Sequence, residues 1–207
     1  MRKINLENWS RKEHFLNFLE FEDPFFNICV SVNVTNLKEF TKENEVSFFI
    51  VSFYGVLKAV NQIEEFRYRI KDEEVIVYEK IRGGCTILRS DKTFGFACFD
   101  YHENLSDFEK HAKEEIEIVK NGRSLDANFG EDDMIHASIL PWISFNSIQH
   151  PRRLGIQDSV PKFGLGKIYQ KGDEFYIPLS VSCHHALMDG LHVSEFFQKY
   201  EKFCADF

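Results

Sequence analysis

Tyr176-Ile177-Pro178-Leu179-Ser180-Val181-Ser182-Cys183, followed at once by His184-His185-Ala186-Leu187-Met188-Asp189-Gly190, is the stretch on which the reading of this chain turns. The first eight residues form an apolar run that reads as a buried strand, and the segment from about Leu191 to Cys204 reads as the closing helix. A histidine pair between a strand and the start of a helix suits proton transfer, because imidazole titrates near neutral pH and can take a proton and return it. Asp189 lies four residues after His185, and Gly190 lets the backbone bend closely there. Cys183 adjoins the pair, but a small buried strand residue is the plainer reading for it than a nucleophile.

Working outward, the segment from Asn8 to Phe15 reads as a short amphipathic helix that Asn8 or Ser10 can cap. Alternation predicts a strand over Ile28 to Val34, and a helix runs from near Asn36 to before Glu45. Residues 47 to 66 predict a long helix, apolar all round at its start and therefore buried. Strands are expected over Val75–Tyr78, Thr86–Leu88 and Phe94–Phe99, then an amphipathic helix over Asp107–Val119 whose charges form a solvated face. A polar loop spans Asn121 to Asp133. Strands follow around Ile135–Ile139, Ile143–Ser147 and Lys162–Tyr169. With no repeat or linker, this mixture predicts one α/β domain over residues 1–207, built on a mixed sheet.

A net charge of −8 argues against nucleic acid, whose phosphates need a basic surface. No apolar stretch approaches the roughly 20 residues of a membrane-spanning helix, and Met1 to Glu7 has no apolar signal core behind it. Five widely spaced cysteines without metal-ligand spacing favour reduced thiols, so the expectation is a cytoplasmic protein with no metal site. Twenty-two phenylalanines imply a large aromatic interior, an apolar interface, or both.

The HHxxxDG string at 184–190 resembles the active-site signature of CoA-dependent acyltransferases, which chloramphenicol acetyltransferases and the acyltransferase cores of 2-oxo acid dehydrogenase complexes both carry. Similarity to the chloramphenicol acetyltransferase family extends through Asn8-Trp9, Arg11, Glu13-His14-Phe15, Ala59-Val60-Asn61-Gln62, Glu65-Phe66-Arg67 and Ile70 to Glu74. It continues in Ser138, Leu140-Pro141-Trp142, Phe145, Ser147, Gly166-Lys167, Gly172-Asp173, Pro178 to Val181 and His192-Val193. The resemblance implies a single-domain, two-layer α/β sandwich assembled as a homotrimer with active sites at subunit interfaces, acetyl-CoA as co-substrate and a small hydroxylated acceptor. It makes His185 the general base and Ser138 the hydroxyl that stabilises the oxyanion. Asp189 pairs with Arg11 to support the catalytic loop rather than to relay protons. Trp142 and Lys167 become candidate CoA contacts, with a core tryptophan and a surface lysine as the plainer readings. His184 is a packing or hydrogen-bonding neighbour. No GxSxG elbow surrounds Ser138, so transfer should be direct, in a ternary complex.

The acceptor side departs from the family pattern. Among the acceptor-pocket candidates, Phe18 keeps its aromatic character, Gly164 stands where the family has a threonine, and Ile148 replaces an aromatic residue. Lys162 and His150 occupy positions that are usually apolar, and His136 one that is usually small or polar. Desolvating such groups against an apolar ligand is unfavourable, so weak or absent use of chloramphenicol is expected, and a more polar or anionic acceptor would suit Lys162. Outward rotation of Lys162 and His150 would instead leave the drug site usable. Two other functions stay open: a trimeric binder of drugs or CoA conjugates whose chemistry has decayed, and a dehydrogenase-complex core, disfavoured because lipoyl domains and linkers are missing from the sequence.

Overall fold

The apolar run before the histidine pair becomes the longest strand of the larger of two sheets. In this computed structural model the described residues are 1–125, 131–152 and 158–207. Their strands are β1 (Arg2–Lys3), β2 (Phe25–Asn33), β3 (Tyr68–Lys71), β4 (Glu74–Val77), β5 (Arg82–Leu88), β6 (Phe94–Phe99), β7 (Met134–Ile139), β8 (Lys162–Leu165), β9 (Tyr169–Lys171) and β10 (Glu174–His184). The helices are α1 (Lys12–Leu19), α2 (Thr35–Glu43), α3 (Phe48–Asn61), α4 (Leu105–Asn121) and α5 (Gly190–Ala205).

The main sheet runs β2-β10-β8-β7-β5-β6, with β9 on the edge of β10; a small sheet runs β1-β4-β3. Pairing is parallel for β5–β7 and β7–β8 and antiparallel elsewhere, so the sheet is mixed. Side chains alternate faces along a strand. One parity (Leu179, Val181 and Cys183 on β10, Phe163 and Leu165 on β8, Ala137 on β7) enters the core with α2, α3, α4 and α5. The other parity carries Ser180, Ser182 and His184, Lys162 and Gly164, and His136 and Ser138. Helices thus cover one face only, giving two layers, and the polar face is where the candidate site residues lie.

Helix α3 follows from its composition: Ser47 accepts the Ile50 N–H as its cap, and ten of its residues, Ile50 through Leu57 with Ala59 and Val60, are buried. The 47–66 helix therefore ends five residues early, and the chain resumes as a 3-10 turn at Glu64–Arg67. The amphipathic N-terminal segment also starts later. Asn5, not Asn8 or Ser10, caps a 3-10 turn at Leu6–Asn8, and α1 begins at Lys12 without a side-chain cap. Trp9 stays outside it, edge-on to Phe15 and Tyr68. The strands β1 and β3 carry no alternation long enough to read and were missed. Of the polar loop at 121–133, residues 126–130 lie outside the described residues.

Two strand expectations are corrected. Ile143–Ser147 is irregular, and Lys162–Tyr169 is split into β8 and β9. Both have one cause. A Cβ on Gly164 would stand 2.8 Å from Ile148 Cγ2 and 3.4 Å from Phe145 Cζ, and one on Gly166 would stand 2.9 Å from Phe145 Cε1. The segment after Pro141 therefore lies over β8, filling space that two glycines leave empty, instead of pairing beside it. Lys167 N–H bonds the Ile143 carbonyl at 2.8 Å, which pins this cover.

Arg69 ties the small sheet to the main one. It is fully buried, and its guanidinium donates to the carbonyls of Phe66, Tyr68, Asp132 and Met134. Burial lowers it to about 10, partly offset by the charge of Asp132. A buried cation with this many acceptors is satisfied, and it fixes the start of β7, the strand that carries Ser138.

Candidate active site

His185 follows β10 directly, and its backbone N–H bonds the Pro24 carbonyl at 2.8 Å. Its imidazole stacks on Phe18 with centroids 4.0 Å apart and planes 4° apart, and lies 4.7 Å from the Phe26 ring. Nδ1 is shielded from solvent and makes no hydrogen bond among the described residues. Aromatic packing therefore orients this ring. His184 points the other way: it is buried edge-on to Phe25, and its Nδ1 accepts the Ala186 N–H at 3.2 Å. Burial lowers it to about 4, so it is neutral at pH 7.

The backbone around His185 is held by charge. Arg11 donates from Nη1 to Asp189 Oδ2 at 2.6 Å and from Nη2 to the His185 carbonyl at 3.3 Å. Asp189 Oδ1 accepts the Leu191 N–H at 3.0 Å, and His192 Nδ1 accepts the Asp189 N–H at 3.1 Å, a reciprocal cap on α5. Burial alone would raise the Asp189 carboxyl. The hydrogen bonds from Arg11 and Leu191 and the His192 and Arg11 charges outweigh it, holding the carboxyl below its ordinary range. Sequence reading missed His192 as a support, although a polar side chain three residues after an N-cap aspartate is the legible sign of a capping box.

The remaining candidates lie on the polar face of the sheet. Ser138 sits on β7 opposite Gly164 of β8, and Gly164 in turn opposes Ser180 of β10. His136 opposes Lys162 in the same ladder. Lys162 is only 5% exposed. Its ammonium donates to Asp158 Oδ2 at 2.5 Å and to the Val160 carbonyl at 3.2 Å, and stands 4.7 Å from the Phe25 ring centre. It thus points inward, and the outward rotation considered above does not occur. Burial, then the Lys162 charge, brings His136 down to about 4 and also lowers His150. Asp158 carried no signal in the sequence, because its partner lies four residues on in an extended strand.

Trp142 is exposed, which removes the core reading, and Lys167 is also exposed. Cys183 is fully buried and its thiol is pushed up by burial, which does not suit a nucleophile. Ser138 and His185 are not brought together within one chain. Ser138 lies two strand spacings from Ser180, and Ser180 lies five residues before His185, which puts the two roughly 19 Å apart at standard strand dimensions.

A mixed sheet with helices on one face, and a clamped histidine where its longest strand meets a helix, is the framework of CoA-dependent acyltransferases. A structure of a probable dihydrolipoamide acetyltransferase from Listeria monocytogenes shares the fold with a TM-score of 0.69 at 16% identity, covering 100% of this chain and 94% of that one. More specific likeness comes from the family described as chloramphenicol acetyltransferase, which matches residues 1–201. A chloramphenicol acetyltransferase of Proteus mirabilis is 29% identical over 202 residues, covering 97% of this chain and 93% of that protein. Chloramphenicol acetyltransferase 3 of Escherichia coli is 28% identical over 204 residues, covering 98% and 96%. A solved chloramphenicol acetyltransferase superposes with a TM-score of 0.91 at 30% identity, covering 98% of this chain and 99% of that one. The chain belongs to the chloramphenicol acetyltransferase family, whose members are acetyl-CoA-dependent acyltransferases.

Proposed function

We propose that this protein moves an acetyl group from acetyl-CoA to an acceptor hydroxyl, with His185 as general base. His185 takes the hydroxyl proton as the oxygen attacks the thioester carbonyl. The carbonyl oxygen becomes an oxyanion to which Ser138 donates, a contact worth about 3 kcal/mol in comparable sites. Collapse expels the CoA thiolate, which receives the proton from the imidazolium. The observation that carries this reading is the clamp: Arg11 binds both the His185 carbonyl and the helix-capping Asp189, fixing the loop that presents the imidazole. Exposed Trp142, and Lys167 pinned to the neighbouring Ile143, are suited to the pantetheine and phosphate parts of CoA.

The separation of Ser138 from His185 favours an assembly in which one copy supplies the base and the next supplies the oxyanion donor and acceptor wall. A homotrimer with three such interfaces accounts for it, and we place the enzyme in the cytoplasm. Mixing His185→Ala and Ser138→Ala subunits tests this. Random reassembly leaves both native residues at about a quarter of the interfaces, so about a quarter of the wild-type rate of CoA thiol release returns. No recovery from mixtures shown to exchange subunits would contradict a shared site.

A further inference from the structure

The backbone of His185 is held at both of its polar groups: Arg11 donates to its carbonyl, and the Pro24 carbonyl accepts its N–H at 2.8 Å. Pro24 lies in a turn just before β2, and Asp23 shapes that turn. Asp23 Oδ1 accepts the Phe25 N–H at 3.2 Å, closing an Asx turn across Pro24. The same oxygen pairs with the guanidinium of Arg152, which comes from the segment that follows His150. Phe25 opens β2 opposite His184, the last residue of β10, so this turn meets β10 where the strand ends and His185 begins.

An ion pair whose carboxylate is as exposed as that of Asp23, at 54%, contributes little on its own. Arg152 is fixed by more than the pair. Its side chain is 15% exposed, and its guanidinium carbon lies 4.5 Å from the centre of the Phe25 ring. The Lys162 ammonium lies 4.7 Å from the same centre, and His184 packs edge-on to that ring at 5.4 Å. Phe25 thus carries two cations, each matched by its own carboxylate, Asp158 for Lys162 and Asp23 for Arg152. A guanidinium already seated on a ring gives up less freedom when it pairs. Burial would raise the Asp23 carboxyl, but the hydrogen bonds from Arg152 and Phe25 and the Arg152 charge hold it below its ordinary range.

We propose that Arg152 is a positioning residue for the general base: through Asp23 and the turn at Pro24 it fixes the N–H of His185, as Arg11 fixes the carbonyl. The inference rests on the acetyl-transfer reading above and deepens it. It ties the segment that carries Ile148 and His150 to the posture of the imidazole.

Hydrogen exchange at the His185 amide, read at residue resolution in the full chain without ligand, tests the tie. Arg152→Ala should speed that exchange about two- to fivefold, the size expected of a partly exposed ion pair. Asp23→Asn, which keeps an acceptor for the Phe25 N–H and removes the charge, should do the same. The double variant should match either single one, because the two residues act as one pair. Asp23→Ala also removes the acceptor of the turn and should exceed about tenfold. The Val181 and Cys183 amides should be unchanged throughout. Exchange that stays slow at His185, or that quickens along the whole of β10, would overturn the proposal. In thiol release from acetyl-CoA, Arg152→Ala should lower kcat about three- to tenfold with KM for acetyl-CoA unchanged, the mark of a misaligned base. A raised KM with kcat intact would overturn it equally. A His185→Ala variant as active as wild type defeats the base assignment alone, since exchange reads the Arg152–Asp23 tie without turnover.

Discussion

The loop that presents His185 and the wall that carries Ser138 are built on opposite terms. In the loop every charge has a positional task, with Arg11, Asp189 and His192 holding backbone, while the imidazole itself is steered by the apolar faces of Phe18 and Phe26. In the wall the backbone is ordinary ladder and the side chains supply the polarity: Lys162 paired with Asp158 and flanked by neutral histidines. The first arrangement fixes geometry for one reaction. On the proposed reading the second would face the acceptor, and it meets the first at Phe25, which lies under Lys162 and packs edge-on to His184. What the difference teaches is that the posture of the imidazole and the polarity of the facing wall are set by separate groups of residues.

If the wall contributes to chemistry through Ser138 alone, Ser138→Ala lowers kcat by about 10² to 10³ with KM for acetyl-CoA little changed. A proportional rise in KM instead would make Ser138 a binding residue and blur the division. In the loop, Arg11→Ala leaves Asp189 half-buried and uncompensated. It should cost about 1–3 kcal/mol of stability and at least about tenfold in kcat. Arg11→Lys should not rescue it, because a single ammonium cannot reach both Asp189 and the His185 carbonyl with the guanidinium's geometry. Full rescue by lysine would reduce the clamp to simple charge.

The wall's packing is checked by Gly164→Thr, which drives a side chain into Ile148 Cγ2 and should cost about 1–3 kcal/mol in urea unfolding. Adding Ile148→Ala should return most of it, since the two positions share one volume. Non-recovery would mean that the two do not share that space. A further effect concerns pH. His136 and His184 are held near 4 in the folded protein, against 6.5 when unfolded. Between those values the unfolded chain binds protons that the folded chain refuses, so stability falls as pH drops from about 6.5 to 4. The urea midpoint should be lower at pH 5 than at pH 7.5, with His136→Asn shallower; a flat profile would contradict the burial of both rings. Asp189, whose carboxyl is depressed, contributes above its unfolded value of 3.8 and is lost only as pH falls through its lower folded value.

Part of the loop was legible because strand, histidine pair and helix follow one another within some thirty residues, whereas the cap by Asp189 and His192 went unread and the Arg11 partnership, from far along the chain, came only through the family resemblance. The wall was legible as a set of positions and not as a structure. Gly164 and Ile148 read as separate departures, whereas they fill one another's space. Lys162 read as an available cation because nothing in an extended strand announces that Asp158 will fold back onto it. Periodicity also read Ile143–Ser147 as a strand, and could not show that glycines on β8 would draw that segment over the sheet instead.

The most direct test of the account is CoA thiol release from acetyl-CoA with a panel of hydroxylated acceptors that includes chloramphenicol, wild type against His185→Ala. General-base catalysis predicts a loss of about 10² to 10⁴ with unchanged thermal unfolding and CoA binding. A rate in His185→Ala within a few-fold of wild type would contradict the assignment of the base, and with it the reading of the loop.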